Sequence, residues 1–371
     1  MFHAAILTQQ QRAKVALHGY AGRTQWGLNM THRTQGARRN WLAVLALALV
    51  TAATSTTANA APACDRACLE AHVDRFLDAA IAHDPSKVPF DRKLKYTENG
   101  VKLQLGDGIW RTLTSRGGWR MVVADEATGH VAFFGSVRED DIPAVIAVHL
   151  TVKNDRIPTA EVFLQRNEKS AEGFDKIGYH WTETVPVAER MSRKELLRIA
   201  DLYFTGMASN DGKGVYPFTN DCHRIENGSN STNAPTPAGE TRPDPKTAEK
   251  YSGQWGCREQ FESGLLHFVT RIRDRRYVAV DPERGLVFVF AFFDHSAGNT
   301  RTFQTPSGRT VSAGPRQPWT WQIAEAFQIR KGLIHQIQAT MERVPYGMNS
   351  GWSSWEDGLS SKARDVASGE R

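Results

Sequence analysis

The sequence predicts an α+β protein made of one unit written twice, each copy an antiparallel sheet with helices on one face. Two observations predict it. The first is an internal repeat: Leu69, Phe76, Pro89-Phe90 and Glu98 recur at one constant spacing as Leu197, Phe204, Pro217-Phe218 and Glu226, so that "KYTENG" (95–100) is echoed by "HRIENG" (223–228). Further on, "WRMVVADEATGHVAFFGS" (119–136) lies over "RRYVAVDPERGLVFVFAF" (275–292), and "VHLTVKNDRIPTAEVFLQR" (148–166) over "EAFQIRKGLIHQIQATMER" (325–343). The second is the order of patterns within a copy, a helix followed by a run of strands.

Residues 1–60 precede both copies. Within them "ARRNWLAVLALALVTAATSTTANA" (37–60) has a basic start, a short apolar run and an Ala-Asn-Ala end, the pattern of an export signal, with Met30 an alternative start. Arg38-Arg39 leaves the general and the twin-arginine routes both open. The first domain is expected over 61–170, a linker over 171–190, the second domain over 191–346 and a tail over 347–371.

In the first copy Leu69, Val73, Phe76, Leu77, Ala80 and Ile81 recur at helical spacing. In the second, Ser192 and Glu195 form a capping box ahead of Leu196, Leu197, Ala200, Phe204 and Met207. A Pro-Phe loop and a strand ending in Glu-Asn-Gly follow each helix. Then come a strand, an Asp-x-x-x-Gly turn (Asp125 to Gly129, Asp281 to Gly285), a β-branched and aromatic strand, and a last hairpin turning at "KNDR" or "RKG". The spacing grows twice in the second copy, once at "GSNSTNAPTPAGETRPDPKTAEKYSGQWG" and once near "HSAGNTRTFQTPSGRTVSAGPRQPW". Insertions of this composition and length are binding loops or lids more often than filler.

The formal charge of +6 resides in the first sixty residues, which carry Arg12, Lys14, Arg23, Arg33, Arg38 and Arg39 and no acid. Without them the chain is neutral, which argues against nucleic-acid binding. No apolar run after the signal is long enough to span a bilayer. Cys64, Cys68, Cys222 and Cys257 allow three pairings, and proximity favours Cys64 with Cys68 and Cys222 with Cys257. The rival is a zinc site using His72 or His223; the absence of a Cys-x-x-Cys pair and the export signal favour disulfides, and no metal or cofactor is expected.

Asn99-Gly100 and Asn227-Gly228 have the composition of tight hairpin turns, which leaves Glu98 and Glu226 as the unexplained halves of the motif. Asp294 and His295 end a core strand, and as strand neighbours they point to opposite faces. Arg271, Arg273, Arg275 and Arg276 read as a solvated strand face from which one residue, Arg276, is a candidate for an anionic substrate group. Tyr277, Trp255, Trp319 and Trp321 are either core or a stacking wall for a planar ligand; Asn227 and His223 adjoin the same turn. There is no Gly-x-Ser-x-Gly elbow and no phosphate-binding glycine loop.

The helix "DRFLDAAIAHD" (74–84), "YTENG" (96–100), "LGDGIW" (105–110), the hairpin "TVKNDRI" (151–157) and their second-copy counterparts resemble the nuclear transport factor 2-like superfamily, in its SnoaL-like and ketosteroid-isomerase-like branch, and a two-copy secreted family of fungi and bacteria. The resemblance implies two tandem cone-shaped α+β barrels, each with a pocket between curved sheet and helices, and pairing across the sheets as an internal pseudo-dimer or a homodimer. It implies a proton-moving carboxylate at Glu98 and Glu226 and an oxyanion-stabilising acid at Glu325, whose first-copy counterpart is Val148. Glu325, Phe327 and Ile329 alternate onto one strand face, where an apolar setting would keep the acid neutral. The expected function is metal-independent isomerisation or dehydration of a small organic molecule in the second copy. Its rivals are a carboxylate-activated hydrolase and a non-catalytic binding protein.

Overall fold

Each copy starts with a helix whose first turn is closed by a side chain. Helix α1 (Arg66–Ile81) is capped by Asp65, which accepts from the Cys68 amide, and α4 (Arg193–Met207) by the Ser192–Glu195 capping box. The computed structural model describes residues 64–177 and 181–369; the expected export segment lies outside the described residues. After α1 come β1 (Phe90–Glu98), β2 (Val101–Lys102), α2 (Ile109–Thr112), β3 (Leu113–Asp125), β4 (His130–Glu139), β5 (Ile142–Lys153) and β6 (Arg156–Gln165). After α3 (Glu168–Asp175) and α4 the order repeats as β7 (Phe218–Glu226), β8 (Ser229–Asn230), α5 (Cys257–Glu262), β9 (Arg271–Asp281) and β10 (Leu286–His295). A small hairpin, β11 (Thr302–Gln304) with β12 (Thr310–Ser312), precedes β13 (Trp319–Arg330) and β14 (Leu333–Val344), and α6 (Trp355–Leu359) and β15 (Arg364–Asp365) close the chain.

The sheets have the same strand order, β2-β1-β6-β5-β4-β3 and β8-β7-β14-β13-β10-β9, the second with β15 added at its edge. They are mixed, not wholly antiparallel: β1 runs parallel to β6, and β7 to β14. The reason is topological. After its hairpin the chain crosses to the far edge, and the four-stranded meander then returns in the direction of the first strand. Asn99, Gly100, Asn227 and Gly228 all have positive φ, as a two-residue hairpin turn requires. Gly129 and Gly285 end the two Asp-x-x-x-Gly turns in the same conformation.

Each sheet buries both faces. One face holds its helix: α1 packs Leu69, Val73, Phe76 and Leu77 against Phe133, Val148 and Val162, and α4 packs Ala200, Tyr203 and Phe204 against Val289, Ile323 and Phe327. The other faces pack on each other through Phe134, Ala147 and Phe163 from the first sheet and Phe288, Phe290, Ala324 and Ala326 from the second. Helices are therefore not confined to one face. Residues of the expected linker form most of α3, whose Ala171 and Phe174 join this inter-sheet layer, where Phe174 stacks on Trp119.

The layer is bolted by charge. The Arg276 guanidinium donates to both Glu161 oxygens at 2.8 and 2.7 Å, with both side chains buried. The expected solvated arginine face is thus corrected: Arg273, Arg275 and Arg276 are all buried among acceptors. At the rim the copies exchange equivalent contacts. Arg66 at the start of α1 donates to Asp281 of the second copy, and Arg193 at the start of α4 to Asp125 of the first. Such reciprocity is the signature of an approximate two-fold relation.

The expected tail is an integral part of the second sheet. Its strand β15 runs parallel to β9, Arg364 ion-pairs with the buried Asp274, and Arg273 donates to the Gly358 and Met348 carbonyls. Both disulfides pair as proximity favours, Cys64 with Cys68 and Cys222 with Cys257. Among the described residues no helix is long and apolar enough to cross a membrane.

Breaking the inter-sheet pair from one side leaves a buried charge without its partner. Glu161→Ala is expected to cost roughly 3–5 kcal/mol in urea unfolding, and the double variant Glu161→Leu with Arg276→Met to recover most of that loss.

Candidate functional site

Strand register assembles the candidate site in the second copy. Tyr277, Val289, Glu325, Ala339 and Glu226 stand directly opposite one another on β9, β10, β13, β14 and β7, and so form one row across the sheet. Directly opposed residues share a face, and this one is the face that packs on α4. Glu325 and Glu226 are two strands apart, about 10 Å between backbones, with only the small Ala339 between them. The equivalent row of the first copy is Val122, Phe133, Val148, Val162 and Glu98. There valines stand where Glu325 and Ala339 stand in the second copy.

The environments of the two acids differ. Glu325 is 1% exposed, and burial, with the Glu226 charge nearby, pushes its carboxyl up to about 8. The Tyr203 hydroxyl on α4 faces it, and burial raises that phenol well above its usual range, so both groups hold their protons at neutral pH. Among the described residues the Tyr203 hydroxyl and Glu325 Oε2 have only each other as near polar company, without meeting full hydrogen-bond geometry. Glu226, with 28% of its side chain exposed, reaches solvent and lies 3.3 Å from Arg224 Nε. Arg224 is itself buried and held by Ser231, Gln260 and the Tyr251 hydroxyl, with its Nη1 unpartnered.

The row and the helix over it thus offer a neutral acid, a phenol, a half-buried carboxylate and a fixed cation on one face of the sheet. A family model described as "Domain of unknown function (DUF8021)" matches residues 62–169 and 189–341, stretches that coincide with the two sheets. The chain belongs to this family. No curated protein matches this DUF8021 chain. Among solved structures it is similar to a de novo designed protein with a curved β-sheet, at 16% identity over 41% of this chain and 88% of that one and a TM-score of 0.22.

Several residues singled out in the DUF8021 sequence serve the fold. Glu98 accepts from the Ile109 amide at the start of α2 and from Arg166, both at 2.9 Å, so it closes a helix turn. Asn227 exchanges hydrogen bonds with the Met341 backbone, as Asn99 does with Leu164, stitching each hairpin to the neighbouring strand. At Gly228, φ is +71° and a Cβ would meet the Ser170 carbonyl of α3 at 2.2 Å, so the turn needs glycine twice over. Asp294 faces away from α4, its carboxylate filled by Arg271, Arg273 and Thr320.

Other candidates lie apart from the carboxylate row. Arg276 is occupied by Glu161, and His223 is exposed beside the buried Cys222. Tyr277 belongs to the row, but its hydroxyl donates to Asp201 at 2.9 Å. Trp255 is buried, donates to the Pro243 carbonyl and, with Leu265, Phe303 and Val311, forms the core of the two inserted loops. His295 is buried, parallel to Trp319 at 3.9 Å and edge-on to Trp321 at 4.8 Å. Donor atoms of Cys64, Cys68 and His72 lie within 4.8 Å of one another, but the disulfide consumes both sulfurs as metal ligands.

Tyr203, Arg224, Tyr251 and Gln260 were not singled out from sequence. A signal exists for two of them: Tyr203 puts a hydroxyl on an otherwise apolar helix stripe, and Arg224 precedes Glu226 by one strand period.

A carboxyl whose folded pKa lies above its unfolded value stabilises the fold below the unfolded pKa, and that stability is lost as pH rises through the folded one. Glu325 therefore makes the protein less stable between about pH 4.5 and pH 8. Relative to the parent, Glu325→Gln is expected to gain roughly 1–3 kcal/mol at pH 9 over its effect at pH 4. Urea unfolding at the two pH values measures the difference.

Proposed function

We propose that each DUF8021 copy is a cone-shaped domain of the SnoaL-like kind, and that the second performs carboxylate proton transfer on a small carbonyl-bearing substrate. One observation carries the reading: a buried acid held neutral by its setting shares a row with a second, solvent-reaching carboxylate. Pairs of acids with separated pKa values divide the roles of proton donor and base. The Glu226 carboxylate takes a proton from the carbon beside the carbonyl, and the C–H electron pair moves toward the carbonyl oxygen. That oxygen accepts hydrogen bonds from the Glu325 carboxyl and the Tyr203 hydroxyl. Return of the proton to another carbon gives isomerisation; loss of a β-hydroxyl as water gives dehydration. Arg224 holds Glu226 in place, and its free Nη1 offers a further donor.

The first copy lacks this chemistry in our reading, since Val148 replaces the acid and Glu98 is bound into a helix turn. We place the protein outside the cytoplasm, after removal of the segment ending near Ala60; the two disulfides support this. The burial of Glu325 favours a second reading, in which the row holds a ligand without turning it over.

Wash-in of solvent deuterium beside the carbonyl of small β,γ-unsaturated ketones, followed by NMR, separates the two. Proton transfer predicts exchange that falls about a hundredfold or more in Glu226→Gln. It also predicts a decline as pH rises past 8, where Glu325 ionises, and loss of that decline in Glu325→Gln. Equal exchange in the parent and Glu226→Gln would exclude Glu226 as the base.

A further inference from the structure

The two insertions that distinguish the second copy from the first border an open cavity of about 470 Å3, within the range of small-molecule sites. Its wall is aromatic: His295, Trp319, Phe268 and Tyr251 line it. The His295 ring is stacked between neighbours, parallel to Trp319 at 3.9 Å and near-parallel to Phe268 at 5.9 Å. The remaining charged lining residues, Lys250 and Arg301, are both cations, and no carboxylate lines the cavity. Lys250 is exposed. Arg301 donates through Nε to the Gly314 carbonyl, and neither residue has a carboxylate partner among the described residues. Arg343 adds positive charge over the Trp319 ring at 5.1 Å.

His295 is fully buried, its ring beside the Phe293 and Trp319 backbone and flat against the Trp319 ring, which it backs. We infer that this cavity is a binding site for a planar aromatic carboxylate, with the ring against Trp319 and Phe268 and the carboxylate drawn by Arg301 and Lys250.

The chemistry of each wall supports that class. Aromatic faces recognise planar ligands by stacking, and an arginine fork matches a carboxylate. Burial lowers His295 to about 4, so at neutral pH the ring is uncharged and adds no charge behind Trp319. A carboxylate brings the negative charge that the cavity wall lacks. The site lies toward one end of the sheet, where Trp319 begins β13, while Glu325 stands in the middle of that strand. It thus does not depend on the proton-transfer reading.

The test is calorimetric titration of the intact protein with 1-naphthoate and with its uncharged analogue 1-naphthamide. The expected result is a preference for naphthoate of at least about tenfold that shrinks in high salt. In the double variant Lys250→Gln with Arg301→Gln the preference disappears, while naphthamide affinity and thermal unfolding stay unchanged. Trp319→Leu weakens both probes, and Glu325→Gln weakens neither, which separates this site from the carboxylate row. Equal affinity for the two probes, a preference surviving in the double variant, or no binding of either at millimolar concentration would overturn the inference.

Discussion

Everything else in the molecule depends on the apolar contact between the backs of the two sheets. A sheet that is hydrophobic on both faces cannot stand alone in water, and one helix covers only one face. In each copy the helix takes one side, so the side carrying Phe134 or Phe288 has to find a second cover. The other copy supplies it, with a matching curvature because it is the same fold. Burial of Arg276 against Glu161 adds direction to a contact that is otherwise non-directional. The exchange of Arg66 to Asp281 and Arg193 to Asp125 then sets the rim.

Fixing the backs of the sheets leaves the helix-bearing faces free to diverge. In the first copy the row opposite α1 is apolar but for Glu98, whose two oxygens are both engaged. In the second the same positions carry Glu325 and Glu226, and Tyr203 reaches down from α4. The inserted loops are also confined to this copy, where they build their own small core around Trp255 and wall a separate cavity. The buried acid, its neighbouring carboxylate and the inserted loops thus all fall in one copy.

The fold was largely legible because its signals are local. Helical spacing at Leu69, Val73 and Phe76, the Asn-Gly turns and the Asp-x-x-x-Gly turns each depend on a few neighbouring residues, and each appears where the pattern places it. The parallel strand pair was not legible, since a hairpin and a parallel neighbour differ only in how a distant strand returns. Nor was the role of α3, whose sequence lies in a polar stretch but whose Ala171 and Phe174 meet the inter-sheet layer. The candidate site was half legible. Alternation put Glu325 with Phe327 on one face, but not the company of Tyr203 and Arg224, which come from other elements. The arginine run at 271–276 misled because charge along a strand reads as solvated until a facing Glu161 or Asp294 is known.

By itself the sequence determined the duplication, the order of elements, the two-residue turns and the favoured cysteine pairing, because each follows from spacing along the chain. Tertiary structure alone decided which charges are buried and with whom. The glutamate of "KYTENG" became a helix-closing group because Ile109 and Arg166 are folded onto it. The glutamate of "HRIENG" remained partly open to solvent beside Arg224, which Ser231, Gln260 and Tyr251 also hold, with small Ala339 between it and Glu325. Identical motifs thus acquired different chemistry from contacts made across strands, where sequence separation carries no information about distance.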